Sequence, residues 1–206
     1  MATGNNVYRC FGKRVIDICL VIIAITLNIP QICIVAACIA CSRTGPIIFS
    51  QTRMGKNHTR FNLYKFRTMV VDAHELGPLV TKTSDCRITT TGRFLRRTRL
   101  DELPQLFNVL KGDMSIVGPR PEVEKYVLMF KEKYEKILSI KPGITDPAIL
   151  EYRNEQETLN KYENPEEGYI KEVLPAKIAL YEKYLQEMSF KTDLKIVLKT
   201  MRMLMP

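Results

Sequence analysis

Three arginines and two adjacent carboxylates fall within the seven residues Arg96-Arg97-Thr98-Arg99-Leu100-Asp101-Glu102. These residue types can bring a phosphate, a divalent cation and a nucleophile within a few ångströms of one another. An ionised carboxylate attacks phosphorus or ligates Mg²⁺, and guanidinium groups hold phosphate oxygens. On a helix, successive residues point about 100° apart, so Asp101 and Glu102 are suited to different tasks. One can attack while the other holds metal. Asp101 also has a plainer reading. It precedes an apolar helical pattern with Pro104 in the first turn, as an ordinary N-cap does. Residue chemistry alone leaves both readings open.

The elements that must position this cluster are visible on either side. Leu103, Leu106, Phe107 and Leu110 recur at i, i+3, i+4 and i+7, which is one face of a helix. Gly112 closes it as a C-terminal cap. Asp101, Gln105 and Asn108 are then expected on the opposite side. Upstream, residues 46–51 and 61–69 read as strands joined through the turn residues Gly55-Lys56-Asn57. The resulting hairpin carries Arg53, Lys56, Lys65 and Arg67, either as a solvated face beside a membrane or as holders of phosphate. Downstream, Pro119 and Pro121 stiffen the backbone around Arg120, whose partner is either a phosphate or one of Glu122 and Glu124. Val123, Tyr126, Val127, Phe130, Tyr134, Ile137 and Leu138 form a helical stripe expected in the core. Leu174 to Met188 gives another amphipathic helix. In the last segment Lys191, Lys195, Lys199 and Arg202 oppose Phe190, Leu194, Val197, Met201 and Leu204. That pattern fits a helix lying in a membrane interface, or one packed on the core with a solvated basic face.

At 206 residues the chain suits one domain, or one domain with an appendage. Its net charge of +9 points to an anionic partner. Nucleic acid is disfavoured, because no basic-aromatic array is present and the N-terminal region is strongly apolar. From Ile18 to Cys41 no residue is charged, and such a length can cross a bilayer. Yet Pro30 sits near its middle, and basic residues flank it on both sides: Arg9, Lys13 and Arg14 before, Arg43, Arg53 and Lys56 after. A single span should show charge asymmetry. The alternatives are a kinked transmembrane helix and a re-entrant one that breaks at Pro30 and leaves on the side it entered. The six cysteines form no metal pattern and read as free thiols in a reducing compartment. His58 and His74 have no partner at ligand spacing, which argues against a histidine triad and a zinc site.

Five blocks carry a resemblance. They are Lys13-Arg14-Val15-Ile16-Asp17, Tyr64-Lys65-Phe66-Arg67-Thr68-Met69, the run Leu100 to Ser115, Val117-Gly118-Pro119-Arg120-Pro121-Glu122, and Lys141-Pro142-Gly143-Ile144-Thr145. In this order they resemble the bacterial sugar transferase family, the monotopic phosphoglycosyl transferases that begin polyprenol-linked glycan assembly. The resemblance covers most of the chain. It implies a helix-rich α/β fold: a re-entrant membrane helix-break-helix over residues 1–42, then a compact catalytic domain over 43–206 with a short β-hairpin and amphipathic interfacial helices. It implies transfer of sugar-1-phosphate from a UDP-sugar to undecaprenyl phosphate, on the cytoplasmic face of the bacterial inner membrane, with Mg²⁺ as cofactor and UMP as the leaving product. By motif position Asp101 is the nucleophile that carries a phosphosugar intermediate, and Glu102 holds the metal. Arg96, Arg120, Lys65 and Arg153 are implied to bind phosphate or nucleotide. The non-enzymatic alternative is a membrane-bound scaffold or regulator of glycan assembly.

The chain departs from the family pattern in three places. Ile29-Pro30, preceded by Asn28, replaces the common Ser-Pro. Asp146-Pro147-Ala148-Ile149 replaces Gly-Trp-Ala-Gln after Thr145, although Arg153-Asn154 still falls where the family often has Arg-Asn. Glu155 to Val173 is a longer acidic, turn-prone stretch. The last two lie where sugar choice is expected to be set.

Overall fold

A computed structural model describes the chain except for residues 1–7, 43–44, 74–75, 78–79, 81–84, 151–154 and 205–206. After a π-turn at Tyr8–Gly12 comes the long apolar helix α1, Lys13–Ser42. At 1.5 Å per residue it is about 45 Å long. It runs through Pro30 without interruption, so the expected break does not divide it into two helices. Proline cannot donate to the carbonyl four residues back. Two polar side chains just before it bond back to the preceding turn: Asn28 Nδ2 donates to the Ala24 carbonyl at 2.8 Å and Thr26 Oγ1 to that of Ile22 at 2.9 Å.

The helix is long and apolar enough to cross a membrane, and Ile22, Ile23, Leu27, Ile29 and Ile34 are exposed. One stripe is nevertheless buried, with Asp17 and Val21 near its start and Val35 and Ile39 near its end. Val21 and Ile25 pack with Phe61, Val109 and Met114. Val35 and Ile39 pack with Phe66 and Leu95. Polar contacts fix the same register. Ser115 Oγ donates to Asp17 Oδ2 at 2.7 Å and the Ile116 amide to Oδ1 at 3.2 Å. The Arg14 guanidinium donates to the carbonyls of Val109 and Leu110.

The expected hairpin is present. Strands β1 (Ile48–Met54) and β2 (Arg60–Phe66) pair antiparallel, from Ile48 opposite Phe66 to Met54 opposite Arg60. Helix α2 (Thr90–Thr98) begins at Thr89, whose Oγ1 accepts the Gly92 amide at 2.9 Å. A Cβ on Gly92 would lie 2.0 Å from the Thr68 carbonyl oxygen, so this glycine permits α2 to press against the end of the hairpin. Arg99, at φ 59°, ends α2 and turns the chain into a 3-10 turn at Leu100–Glu102. Helix α3 (Gln105–Lys111) follows and closes at Gly112, φ 98°, as the spacing predicts.

Helix α3 packs on more than its apolar stripe: Leu103, Leu106 and Leu110 are partly buried against core clusters and Phe107 is 50 % exposed, while Gln105, Asn108 and Val109 are buried. Asn108, 0 % exposed, occupies the inner face because it serves the backbone around it. Its Oδ1 accepts the Tyr64 amide at 3.0 Å, and its Nδ2 donates to the Asn62 carbonyl at 2.7 Å. A buried amide so paired avoids the desolvation cost of an unsatisfied group, and it ties α3 to the edge of β2. Of the stripe residues Phe107 is the exposed one, while Leu106 packs with Val21 of α1, Phe61 and Met114.

Two three-residue strands, β3 (Ser115–Val117) and β4 (Gly143–Thr145), pair in parallel, with Ser115 opposite Gly143 and Val117 opposite Thr145. Between them the core stripe forms two helices, α4 (Glu124–Met129) and α5 (Lys131–Ile137), because the backbone breaks at Phe130, φ −123°, ψ 41°. Tyr126, Val127, Tyr134, Ile137 and Leu138 are buried as expected. After α6 (Glu155–Asn160) and α7 (Pro165–Gly168), helix α8 (Leu174–Glu187) completes this core with Leu174, Ile178 and Tyr181. The last helix, α9 (Phe190–Leu204), buries Asp193 and Ile196 and exposes Phe190, Leu194, Leu198 and Met201.

Candidate active site

The site forms where the end of β2, the turn after α2 and the loop after β3 converge. Hairpin pairing holds Lys65 opposite Phe49. The left-handed Arg99 swings Asp101 and Glu102 inward. Pro119 and Pro121 carry Arg120 in from the third side.

Glu102 is the electrostatic hub. Its Oε1 accepts from Lys65 Nζ at 3.0 Å and from Arg120 Nη2 at 2.9 Å, with Arg99 Nη1 3.9 Å away. Burial alone would raise its pKa. Lys65, Arg120 and Arg99 together outweigh burial and hold the carboxyl well below the usual range. Arg120 thus pairs with Glu102, while Glu122 and Glu124 have cations of their own. Glu122 lies 3.7 Å from Arg53 Nη1 and accepts from Tyr169 Oη at 2.5 Å, and Glu124 pairs with Arg60. Lys65 and Arg53 do not belong to a solvated face. Lys65 is half-buried, and burial lowers its pKa against the opposing pull of Glu102.

Asp101 is placed differently. It lies inside the 3-10 turn, and no side chain caps α3, which begins four residues later at Gln105. The N-cap reading is thereby overturned, because the chain inserts an extra turn between the carboxylate and the helix. Asp101 is 7 % exposed, and its Oδ1 is buried without a hydrogen-bond partner. Burial, reinforced by the neighbouring Glu102, pushes its pKa up. Lys65, Arg96 and Arg99 act against this rise. The two adjacent carboxyls are thus driven apart, one strongly acidic and one less so, a pattern common where carboxylates have different chemical tasks.

Arg96 is half-buried, and its Nε donates to Thr68 Oγ1 at 2.9 Å. Thr68 and Asn108 position the site, yet sequence reasoning did not single them out as functional. Thr68 could have been found from its place in the Tyr64–Met69 block. Asn108 could likewise have been found from its place in the Leu100–Ser115 block, although spacing showed it only as a polar residue on one side of a helix. The structure brings Lys65, Arg96, Asp101, Glu102 and Arg120 together, whereas Arg153 lies outside the described residues. Among the described residues, no group of three or more His, Cys, Asp or Glu side chains gathers as a metal cage.

Comparison with known proteins extends the picture beyond geometry. Residues 8–206 match the family model described as bacterial sugar transferase. A provisionally named undecaprenyl-phosphate N-acetylgalactosaminyl 1-phosphate transferase of Bacillus subtilis (strain 168) is 45 % identical over 133 residues, covering 65 % of this chain and 70 % of that protein. The UDP-glucose:undecaprenyl-phosphate glucose-1-phosphate transferase of Escherichia coli (strain K12) is 37 % identical over 192 residues, 91 % of this chain and 39 % of that protein. The UDP-N-acetylgalactosamine-undecaprenyl-phosphate N-acetylgalactosaminephosphotransferase of Aeromonas hydrophila is 35 % identical over 199 residues, 93 % of this chain and 43 % of that protein. The chain thus spans about two fifths of the last two. With the match running from Tyr8 to Pro206 and through every residue of the described site, the chain belongs to the bacterial sugar transferase family.

Proposed function

We propose that the protein transfers sugar-1-phosphate from a UDP-sugar to undecaprenyl phosphate, in two displacements at Asp101. In the first, an Asp101 carboxylate oxygen bonds to the sugar-bearing phosphorus. The bond from that phosphorus to the bridging oxygen breaks, and UMP leaves with the electron pair. In the second, a phosphate oxygen of the polyprenyl phosphate attacks the same phosphorus and frees the Asp101 carboxylate. Covalent catalysis divides one difficult transfer into two easier ones. The observation that carries this reading is the buried Asp101 Oδ1 without a hydrogen-bond partner, on a carboxyl whose charge Lys65, Arg96 and Arg99 favour. Its lone pairs are not committed to a cap, and the surrounding cations offset the charge gathered on a transferring phosphoryl group.

Mg²⁺ is the cofactor of this reading. Carboxylate oxygens are its preferred protein ligands, and it is usually held by one or two of them together with substrate phosphates and water. Glu102 fits that chemistry, since Lys65, Arg120 and Arg99 keep its carboxylate ionised, and it would hold the ion while Asp101 attacks. Bound there, the ion would neutralise phosphate charge. Lys65 and Arg120, now on Glu102, are the side chains within reach of an incoming diphosphate, and Arg96 and Arg153 complete the proposed phosphate- or nucleotide-binding set.

We also propose that in the membrane α1 kinks at Pro30 without dividing and returns to the side it came from, making residues 1–42 a re-entrant anchor for a cytoplasmic catalytic domain over 43–206. The support is its buried stripe. Asp17 and Val21 near one end and Val35 and Ile39 near the other pack against the same body. A straight span could not keep both ends on one domain outside the bilayer, because the helix is about 45 Å long and the hydrocarbon core about 30 Å thick. The exposed apolar residues of α9 fit an interfacial helix beside it.

The test is UMP release by purified protein given Mg²⁺, undecaprenyl phosphate and a panel of UDP-sugars. Release from one or a few donors is expected, and silence with all of them would refute the transferase reading. The donor that works also names the sugar.

A further inference from the structure

Gln105 opens α3 and is 2 % exposed. Its Nε2 is buried and has no hydrogen-bond partner. A buried donor left unpaired carries its full desolvation cost, so the position calls for an explanation.

The backbone and two neighbouring tethers say where this amide lies. The amides of Glu102, Leu103, Leu106 and Phe107 donate to the carbonyls of Arg99, Leu100, Leu103 and Pro104 at 3.1–3.2 Å. Bonds of this i to i+3 type set every third residue in one row, here Glu102, Gln105 and Asn108. Both outer members of the row are tied to β2. Glu102 Oε1 accepts from Lys65 Nζ at 3.0 Å, Asn108 Oδ1 accepts the Tyr64 amide at 3.0 Å, and Asn108 Nδ2 donates to the Asn62 carbonyl at 2.7 Å. Gln105 lies between these tethers, in the seam between β2 and α3. Helical side chains lean toward the N-terminus of their helix. That direction takes the Gln105 amide away from Asn108 and toward the turn that carries Asp101 and Glu102.

Asp101 Oδ1 is likewise buried without a partner. A Gln and an Asp four residues apart can bond to each other, yet these two do not. The acceptor and the donor are both left for a third group. A phosphoryl group bonded to Asp101 supplies one, because its non-bridging oxygens accept hydrogen bonds and a carboxamide N–H donates them.

We infer that Gln105 is a further catalytic residue of the proposed transfer: its Nε2–H donates to a non-bridging oxygen of the phosphoryl group that Asp101 takes up. The inference rests on the transferase reading. The amide gives up no proton and forms no covalent bond; the bonds made and broken are those of the two displacements at Asp101. Rotation about its side-chain bonds carries the carboxamide out of the seam onto the incoming group. The bland alternative is an amide that only fills the space between β2 and α3.

The test compares full-length wild-type protein with Gln105→Met, which keeps the length of the side chain and removes the donor. UDP and UMP, each with Mg²⁺, are the binding probes. UDP carries the phosphoryl group in question and UMP lacks it. The apparent Kd for UDP is expected to rise about tenfold, the scale of one hydrogen bond to a charged group, while that for UMP stays unchanged. Equal UDP affinity in the two proteins, or equal losses for both nucleotides, would overturn the inference. In UMP release, kcat should fall about a hundredfold, the scale of one missing oxyanion donor; wild-type kcat in the variant would overturn it as well. Without nucleotide, Tm should hold or rise, because no hydrogen bond is lost. A fall in Tm with unchanged UDP affinity is the outcome of the space-filling alternative. Should Gln105→Met not fold, Gln105→Leu takes its place. The two readings fail separately. Wild-type protein that binds UDP yet releases no UMP from any UDP-sugar sinks the transferase reading, and the contrast between UDP and UMP still decides the role of Gln105. A variant that turns over as fast as an active wild type sinks the Gln105 inference alone. Wild-type protein that binds neither nucleotide and does not turn over sinks both.

Discussion

Lys65 Nζ meets Glu102 Oε1 at 3.0 Å, tying the end of the hairpin to the turn that carries Asp101. Thirty-seven positions separate the two residues. Lys65→Met leaves Glu102 with Arg120 and Arg99 but removes a buried partner, a loss of about 1–3 kcal/mol. At about 2–4 °C per kcal/mol for a chain of this size, melting should show a clear drop in Tm. UMP release should fall by about a hundredfold or more, because the lost cation also faces Asp101.

Asp101→Asn separates stability from chemistry. The wild-type carboxyl is buried with one oxygen unpaired, and its pKa is raised by that burial. An ionised Asp101 therefore costs folding stability at neutral pH. The neutral amide should hold or raise Tm, by a few degrees at most, while turnover falls by about a thousandfold or more. A large Tm loss in this variant would show that the carboxylate has a structural partner.

The two carboxyls give opposite pH effects. Glu102 has a depressed pKa, so its contribution is complete above the unfolded value of about 4.3 and is lost as pH falls toward the folded value. Asp101 has a raised pKa, so its cost at neutral pH is relieved as pH falls through that value. Turnover needs the ionised Asp101, and the acid limb of kcat should lie above the ordinary aspartate value of about 3.9. Arg96→Met removes a cation that favours the charged form and should move the limb upward. A limb that stays in place would exclude Arg96 from the Asp101 environment.

Helix α1 should prove inseparable from the catalytic fold. Asp17 receives bonds from Ser115 and Ile116, and Val21 and Ile39 are buried. Removing residues 1–42 should give protein that is protease-sensitive and lacks cooperative melting. Asp17→Ala should cost about 1–3 kcal/mol, through the buried Ser115 hydroxyl left without its acceptor. A stable, cooperatively melting fragment would show instead that α1 is only an anchor.

Local patterns carried the hairpin, the Gly112 cap and the helical core stripe, because each follows from spacing within a few residues. The cluster of Arg96, Asp101 and Glu102 was legible for the same reason, and Lys65 and Arg120 joined it through the family motifs. Other features depended on distant partners. β3 and β4 are too short to show alternation, and they exist because Gly118 and Gly143 can approach closely. The exposure of Phe107 was not legible, because it shares its periodic stripe with Leu103, Leu106 and Leu110, which pack against the core. Asp101 looked like a helix cap because the inserted 3-10 turn, set by the left-handed Arg99, leaves no periodic trace. The break at Phe130 is likewise invisible in a stripe whose apolar residues all face inward.

The covalent step is tested most directly by mass spectrometry of protein incubated with Mg²⁺ and the active UDP-sugar in the absence of polyprenyl phosphate. The predicted result is a sugar-phosphate adduct on the peptide that contains Asp101, with up to one UMP released per protein, and neither in Asp101→Asn. UMP formed only when the lipid acceptor is present, with no adduct at any time, would contradict it.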